Sequence, residues 1–421
     1  MNKKKKILRN EGLQTFLASI ACIIIGLLVG YIVLLIIEPS GAWQAIMAVI
    51  KNFFYYPSAA AAMKYFGSTL VKSSALLMCG LSVLFAYKVG LFNIGAAGQY
   101  VLGAGAALFC ALKLGLPWYI CLIVAIILAA ISGGISGLLK AYFNVSEVIS
   151  GIMLNWISLY CVNMLLTTVK EDTSPYTVKL SSTNPSAVLP SLGLSNLFSG
   201  NAYVTIGVPI AIIMAIIIWI ILDKTKLGYE LKATGMNKNA AKYCGMNENR
   251  NIILTMAIAG ALAGFGAGIY FLTGIEDWSV QMTSLPAMGF NGIAAAFLGG
   301  LNPIGTIFSS YFIQHITSGG TYVDTTYYPS QISDLISSLI IYLCGFSLFF
   351  KLYFTRFLNK RDERREAKAK ILAAKNASAE NTEAENEQET EDEPLEAPSD
   401  EISDPAGDEP DDPGIQEGGN E

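Results

Sequence analysis

The amino-acid sequence predicts an all-α fold, a polytopic membrane helical bundle of about ten transmembrane helices. Three observations carry that prediction. Hydrophobic residues make up 53% and charged residues 14% of the 421 positions, a balance unlike that of a soluble globule. The apolar residues lie in long blocks: 16–37 holds 22 consecutive residues without a formal charge, and about 20 suffice to cross the hydrocarbon core. Lys and Arg, finally, are segregated along the chain as they are between the two sides of a membrane protein.

Apolar runs between charged or Pro/Gly punctuation place spans at 16–37, 68–87, 94–112, 117–139, 148–169, 203–222, 252–272, 286–301, 303–317 and 334–353. The start at Lys3-Lys4-Lys5-Lys6 resembles a secretory signal, but its apolar region is long and lacks an A-x-A-like site, so it is expected to be the first span. The short aromatic stretch 42–56 is expected at the outer interface. With ten spans and the amino terminus inside, 22 of the 28 Lys and Arg fall in cytoplasmic segments, with Lys51, Lys64, Lys72, Lys113, Lys170 and Lys179 outside. An odd number of spans would put the most basic loop, 223–250, and the basic start of the tail on opposite faces. Both termini are therefore expected in the cytoplasm, and the chain in an inner (plasma) membrane.

The net charge of −5 sums two unlike parts: 18 of the 33 Asp and Glu lie from Glu380 onward, where no base occurs, leaving residues 1–379 at +13. The organisation that follows is a basic cytoplasmic segment 1–15, a membrane domain 16–355 with loop 223–250, a charged cytoplasmic helix 356–375 and an acidic tail 376–421. That tail is too poor in apolar residues to fold alone. The loop 170–201, rich in Ser, Thr, Asn and Pro, reads as an ordered docking surface or a slack connector.

Several functions are excluded early. His315 is the single histidine, so no histidine-based catalytic or zinc set is available. No G-x-x-x-x-G-K-[ST] phosphate loop and no H-E-x-x-H occurs, so the chain is not expected to be an enzyme, to hold a metal or to hydrolyse ATP itself. The seven cysteines show no C-x-x-C spacing and read as small buried hydrophobes.

Three strings carry chemistry. Gly90-Leu91-Phe92-Asn93-Ile94-Gly95-Ala96-Ala97-Gly98-Gln99 brings two amides into an apolar zone among small residues. It reads either as a polar lining of a translocation path or as a helix interface joined by amide hydrogen bonds. It echoes Gly289-Phe290-Asn291-Gly292-Ile293-Ala294-Ala295, and spans 68–169 and 252–353 begin from opposite sides in this topology. An inverted internal repeat is one reading and chance similarity the other. Segments 286–301 and 303–317, broken by Gly299-Gly300 and Asn302-Pro303, read as cavity-lining pieces or as a tight hairpin. In the second string, 144–155, Ser146 is expected to cap a span with Glu147 complementing its helix dipole, direct contact with cargo being the alternative; Asn155 follows two turns later. In the third, Asn237-Lys238-Asn239-Ala240-Ala241-Lys242-Tyr243-Cys244-Gly245-Met246 predicts an Asn cap, a two-turn amphipathic helix and a Gly stop. It reads as an interfacial anchor or as a docking element.

Together the strings resemble the membrane permease subunits of bacterial ABC importers of the branched-chain amino acid, ribose and nucleoside type. The E-V-I-S-G-I-M-L-N string is most similar to the nucleoside branch. The resemblance covers residues 12–355 and leaves the acidic tail outside it. It implies a nucleoside cargo, a second related permease subunit, cytosolic ATP-binding subunits that use the ATP, and an extracellular substrate-binding lipoprotein. No cofactor would be bound by this chain, and no nucleic acid would be a partner. Phe92, Asn93, Gln99, Glu147, Asn155 and Asn291 would lie on or near the translocation path. Asn237, Asn239, Ala240, Ala241, Tyr243, Gly245 and Met246 would form the coupling helix seated on an ATPase. Ribose, other sugars or branched-chain amino acids are the alternative cargo. An ion-coupled secondary transporter would need intramembrane ionisable residues, of which Lys72, Glu147 and Asp334 are the candidates. A scaffold acting through its tail would depend on residues 376–421.

Overall fold

The computed structural model describes residues 11–324 continuously and scattered positions from 327 to 371. Two compact units divide the chain, Met1–Arg356 and Phe357–Glu421. In the second, the described positions Lys360, Arg361, Glu363 and Arg364 are helical and exposed.

The first unit is helical, and its described residues contain isolated β-bridges but no strand. Its principal helices are α1 (Glu11–Ile37), α2 (Ala42–Lys51), α3 (Ala59–Lys88), α4 (Ala96–Leu112), α5 (Trp118–Phe143) and α6 (Glu147–Leu166). They continue as α7 (Gly207–Lys224), α8 (Lys226–Met236), α9 (Lys238–Tyr243), α10 (Glu248–Phe271), α11 (Ala287–Leu298) and α12 (Pro303–Gly319). Six helices are long and apolar enough to cross a membrane, and α4 and α11 are shorter apolar helices. Nine of the ten predicted spans coincide with a helix; the tenth, 334–353, lies mostly outside the described residues.

Small residues bring the central helices together. Along α5 and α10, Gly133 and Gly137 face Met256, Gly260 and Ile253, while Gly264 and Gly268 face Ala125, Ala129 and Leu122. The backbones approach so closely that a Cβ on Gly133, Gly260 or Gly264 would overlap the opposite helix. This suits an apolar solvent, where close packing rather than water exclusion holds helices together. The register is antiparallel, because residue numbers fall along α5 as they rise along α10.

Contacts between loops define two ends of the bundle. At one, Gly90 meets Gly235, Lys140 pairs with Glu147, and Asn251 Nδ2 donates to Thr234 Oγ1 at 2.8 Å. At the other, residues 170–206 are tied down. Asn184 Nδ2 donates to Ala111 O (2.8 Å) and Leu116 O (3.0 Å), and Asn201 Nδ2 donates to Lys64 O (2.6 Å). Thr177 N donates to Trp278 O (2.9 Å), and Trp278 Nε1 to Asn163 Oδ1 (2.9 Å). The loop is thus an ordered cap across the bundle, and the slack-connector reading is set aside. Lys88, Lys140 and the six bases of Asp223–Arg250 gather at the first end, and Lys64, Lys113, Lys170 and Lys179 at the second.

The stretch after α1 forms α2 and a 3-10 turn, Asn52–Tyr55, which buries Ala42, Ala45, Ile46, Ala48 and Val49 and exposes Trp43, Phe54 and Tyr55. His315 is structural here: its Nε2 bonds to Ile50 O at 2.9 Å and its carbonyl accepts from Asn52 Nδ2 at 2.9 Å.

Candidate functional site

The Asn93 string sits at the start of α4, in a node packed between α3 and α6. Asn93 Nδ2 donates to Ser82 Oγ (2.9 Å) and to Gln99 Oε1 (2.8 Å), and Gln99 Nε2 donates back to Asn93 Oδ1 (3.2 Å). Asn155 of α6 clasps the same segment from the other side: its Oδ1 accepts from Gly98 N at 2.7 Å and its Nδ2 donates to Ile94 O at 3.1 Å. Asn93, Gln99 and Asn155 are buried, and Phe92 is half-buried against the core. Glycine makes the node possible, since a Cβ on Gly98 would fall 2.5 Å from Asn155 Cα. Each amide is satisfied inside the protein, as burial in an apolar interior requires.

Glu147 lies at the start of α6, half-buried, with its Oε2 2.9 Å from Lys140 Nζ. The expected cap differs from what is found. Ser146 holds the N-cap position in an extended conformation, but its side chain makes no cap hydrogen bond. Its carbonyl accepts from Ser150 N and Ser150 Oγ instead. The Ser150 hydroxyl also lies 2.9 Å from Ser136 Oγ, which ties α6 to α5.

The two echoing strings meet: Gly289, near the start of α11, packs on Ala97 at the start of α4. From there the helices diverge. α4 runs beside α6, with Gly95 on Gly151, Gly98 on Asn155 and Gly105 on Val162. α11 runs beside α3, with Gly292 on Cys79 and the Phe297 ring 5.1 Å from Tyr87. The segments 286–301 and 303–317 do form a tight hairpin: Asn302 caps α12 by accepting from Ile304 N (2.9 Å), and Ser309 Oγ donates to Ala295 O (2.5 Å). Asn291 is nonetheless half-buried on the wall of a cavity, apart from Asn93 and Gln99.

The loop Asp223–Arg250 is a structured knob. Thr225 caps α8, accepting from Gly228 N at 3.2 Å, and Asn237 caps α9, accepting from Ala240 N at 3.0 Å. α9 spans six residues, shorter than two full turns. It stops at Gly245, whose φ of +80° excludes most side chains; Gly245 N donates to Lys242 O and Met246 N to Ala241 O, both at 3.0 Å. Ala241 alone faces inward from α9, Asn237, Asn239, Ala240 and Gly245 are exposed, and Met246 is half-buried. Tyr243 is 93% and Met236 88% exposed, which leaves two large apolar side chains projecting from a rigid, capped element.

That knob is joined directly to the node. Gly235, at the end of α8, lies so close to Val89 and Gly90 that a Cβ on it would overlap Val89 O. Gly90 takes φ +78° and opens the turn that leads, three residues on, to Asn93. Sequence reasoning missed this Gly235–Gly90 contact, the Gly-x-x-x-Gly seam of α5 and α10, and the Trp278–Asn163 tie. The seam was readable in the spacing of Gly260, Gly264 and Gly268; the other two join residues far apart in the chain and leave no local signal.

The long apolar helices define a multi-pass membrane protein. The chain belongs to the family described as branched-chain amino acid transport system / permease component, whose model matches residues 65–345. It is 33% identical over 336 residues to the guanosine ABC transporter permease protein NupP of Bacillus subtilis (strain 168), covering 78% of this chain and 92% of that protein. It is 33% identical over 345 residues to the nucleoside ABC transporter permease protein NupB of Lactococcus lactis subsp. cremoris (strain MG1363), covering 79% and 91%. Against the glucose ABC transporter permease protein TsgB13 of Haloferax volcanii it is 29% identical over 289 residues, covering 66% and 75%. The guanosine ABC transporter permease protein NupQ of Bacillus subtilis (strain 168) and the nucleoside ABC transporter permease protein NupC of Lactococcus lactis subsp. cremoris (strain MG1363) match at 27% over 258 residues and 26% over 269. No solved structure matches the chain.

Proposed function

We propose that this chain is one permease subunit of an ATP-driven importer whose cargo is a nucleoside. It would pair with a second, related permease, with cytosolic ATP-binding subunits and with an extracellular substrate-binding lipoprotein. Similarity to NupP and NupB over nine-tenths of their lengths supports the nucleoside cargo, and the matches to NupQ and NupC, further permeases of the same two organisms, support a paired subunit. The basic end of the bundle, which gathers Lys88, Lys140 and the bases of the knob, is assigned to the cytoplasm by the excess of Lys and Arg there. Both termini then lie on that side.

The observation that carries the mechanism is the direct backbone contact between the knob and the node. ATP-driven movement of partner subunits would push α9, α8 would carry the push through Gly235 to Gly90, and the start of α4 would shift against α6 and α11. The amide node then acts as a joint with two arrangements, and this chain supplies shape and lining without bond chemistry. Phe92, Asn93, Gln99, Asn155 and Asn291 take their place along or beside the path as parts of that joint and its wall. Glu147 is assigned to the dipole and to Lys140 rather than to cargo.

Gly245→Pro tests the coupling. Proline cannot take a φ of +80° and removes the N–H that closes α9. Uptake of labelled nucleoside is expected to fall to background while the protein remains in the membrane. Normal uptake by that variant would refute the assignment.

A further inference from the structure

We propose that the cavity between α3, α4, α10, α11 and α12 is a contact site for 6-oxopurine nucleosides, in which Lys72 reads the O6/N7 edge of the base. This rests on the nucleoside reading above and goes beyond it by naming the base class and the residue that selects it.

Lys72 stands near the middle of the 30-residue helix α3 and is half-buried. An ammonium at that position in a spanning helix is costly unless it meets a partner or a water-filled space. Among the described residues no carboxylate lies within the 4.0 Å of an ion pair. The space is there instead: Lys72 lines a cavity of about 280 Å³, at the small end of ligand pockets and suited to one ring system with its sugar.

The remaining walls divide by chemistry. Tyr100 and Trp278 border the cavity as closely packed rings, each 1% exposed, so they bound it as a fixed apolar wall. Trp278 is fixed by its ring bond to Asn163 and, through its backbone, by its bond to Thr177, so that wall is set before cargo arrives. Gln314 makes one long side-chain bond, Nε2 to Ser318 Oγ at 3.4 Å, and Asn291 makes none among the described residues, which leaves amide groups to meet polar edges of a base. Asp277, which also lines the cavity, is raised from its ordinary value by burial, lowered by Lys179 and raised again by Glu171 and Glu276; in this proposal its carboxylate accepts ribose hydroxyls.

Selectivity follows from the donors. An ammonium pairs with the adjacent O6 and N7 acceptors of guanine or hypoxanthine, whereas adenine places an amino donor beside N7 and pyrimidines offer no such pair.

The test is uptake of radiolabelled guanosine, inosine and adenosine by cells carrying the whole transporter, wild type or variant, with membrane levels measured in parallel. Wild type is expected to favour guanosine and inosine. Lys72→Met should cut guanosine uptake about tenfold while adenosine uptake falls far less, and Lys72→Arg should keep most of the preference. Guanosine uptake unchanged in Lys72→Met, or an equal fall for guanosine and adenosine at normal membrane level, overturns the site. If Lys72→Met fails to reach the membrane, Asp277→Ala decides: with no acceptor left, it should abolish the preference for guanosine over 2′,3′-dideoxyguanosine, and a preference left intact overturns the site. A wild-type transporter that takes up no nucleoside overturns the cargo reading itself, a result distinct from any variant's.

Discussion

The node around Asn93 and the knob around Ala240 handle polarity in opposite ways. In the node every amide is paired within the protein: Asn93 with Ser82 and Gln99, Asn155 with Gly98 and Ile94. In the knob the polar groups shape it, through Asn237 at one end and Gly245 at the other, and the side chains between them, Ala241 excepted, are exposed. Paired, buried groups hold a structure together. Exposed side chains on a rigid element are free to engage another one. The difference separates the part of this permease that must stay folded from the part that must be touched.

Substitutions should expose that difference, because node variants are expected to lose stability and uptake together and knob variants uptake alone. The largest effect is expected for Gly98→Val. Its side chain has no room beside Asn155, and overpacking costs about 1–3 kcal/mol or more, so a lowered thermal midpoint in detergent should accompany lost uptake. Gly245→Pro should match it in lost uptake with an unchanged midpoint; a midpoint lowered as far as that of Gly98→Val would erase the distinction. Asn155→Leu strands Gly98 N and Ile94 O, a loss of about 1–3 kcal/mol per buried group, readable as a lower midpoint with partly reduced uptake. Asn237→Ala removes one cap worth about 1 kcal/mol locally and should lower uptake by a few-fold at constant midpoint. Asp277→Asn is expected to be the mildest in stability. Burial raises this carboxyl above its ordinary value, so the folded state holds its proton more tightly and loses stability as pH rises through the unfolded value toward the folded one. The neutral amide removes that loss, and the midpoint at neutral pH should not fall.

Much of this was legible before the structure. Apolar block length located nine helices, because the hydrocarbon thickness sets a scale that any sequence must match. Asn237 and Gly245 were readable as cap and stop, since capping depends on residues three or four apart. Ser146 does stand at the N-cap of α6, as its residue type suggests, but its side chain makes no cap bond, because residue spacing fixes the position of a cap and not the rotamer of its hydroxyl. The pairing of Asn93 with Ser82, the meeting of Gly289 with Ala97 and the ordering of residues 170–206 depend on where helices cross. No spacing along the chain encodes that. Lys72 reads from the sequence as a base near the outer end of its span; that it stands near the middle of α3 and lines a cavity depends on the fold.

The central claim is that the knob faces the cytoplasm, where an ATP-hydrolysing partner can reach it. Cys244, free and exposed beside α9, reports this directly. A membrane-impermeant maleimide applied to intact cells, and then to cells opened by permeabilisation, would be followed by mass spectrometry of the peptide containing Cys244. Labelling only after permeabilisation is the expected result. Labelling in intact cells would place the knob outside and contradict the account.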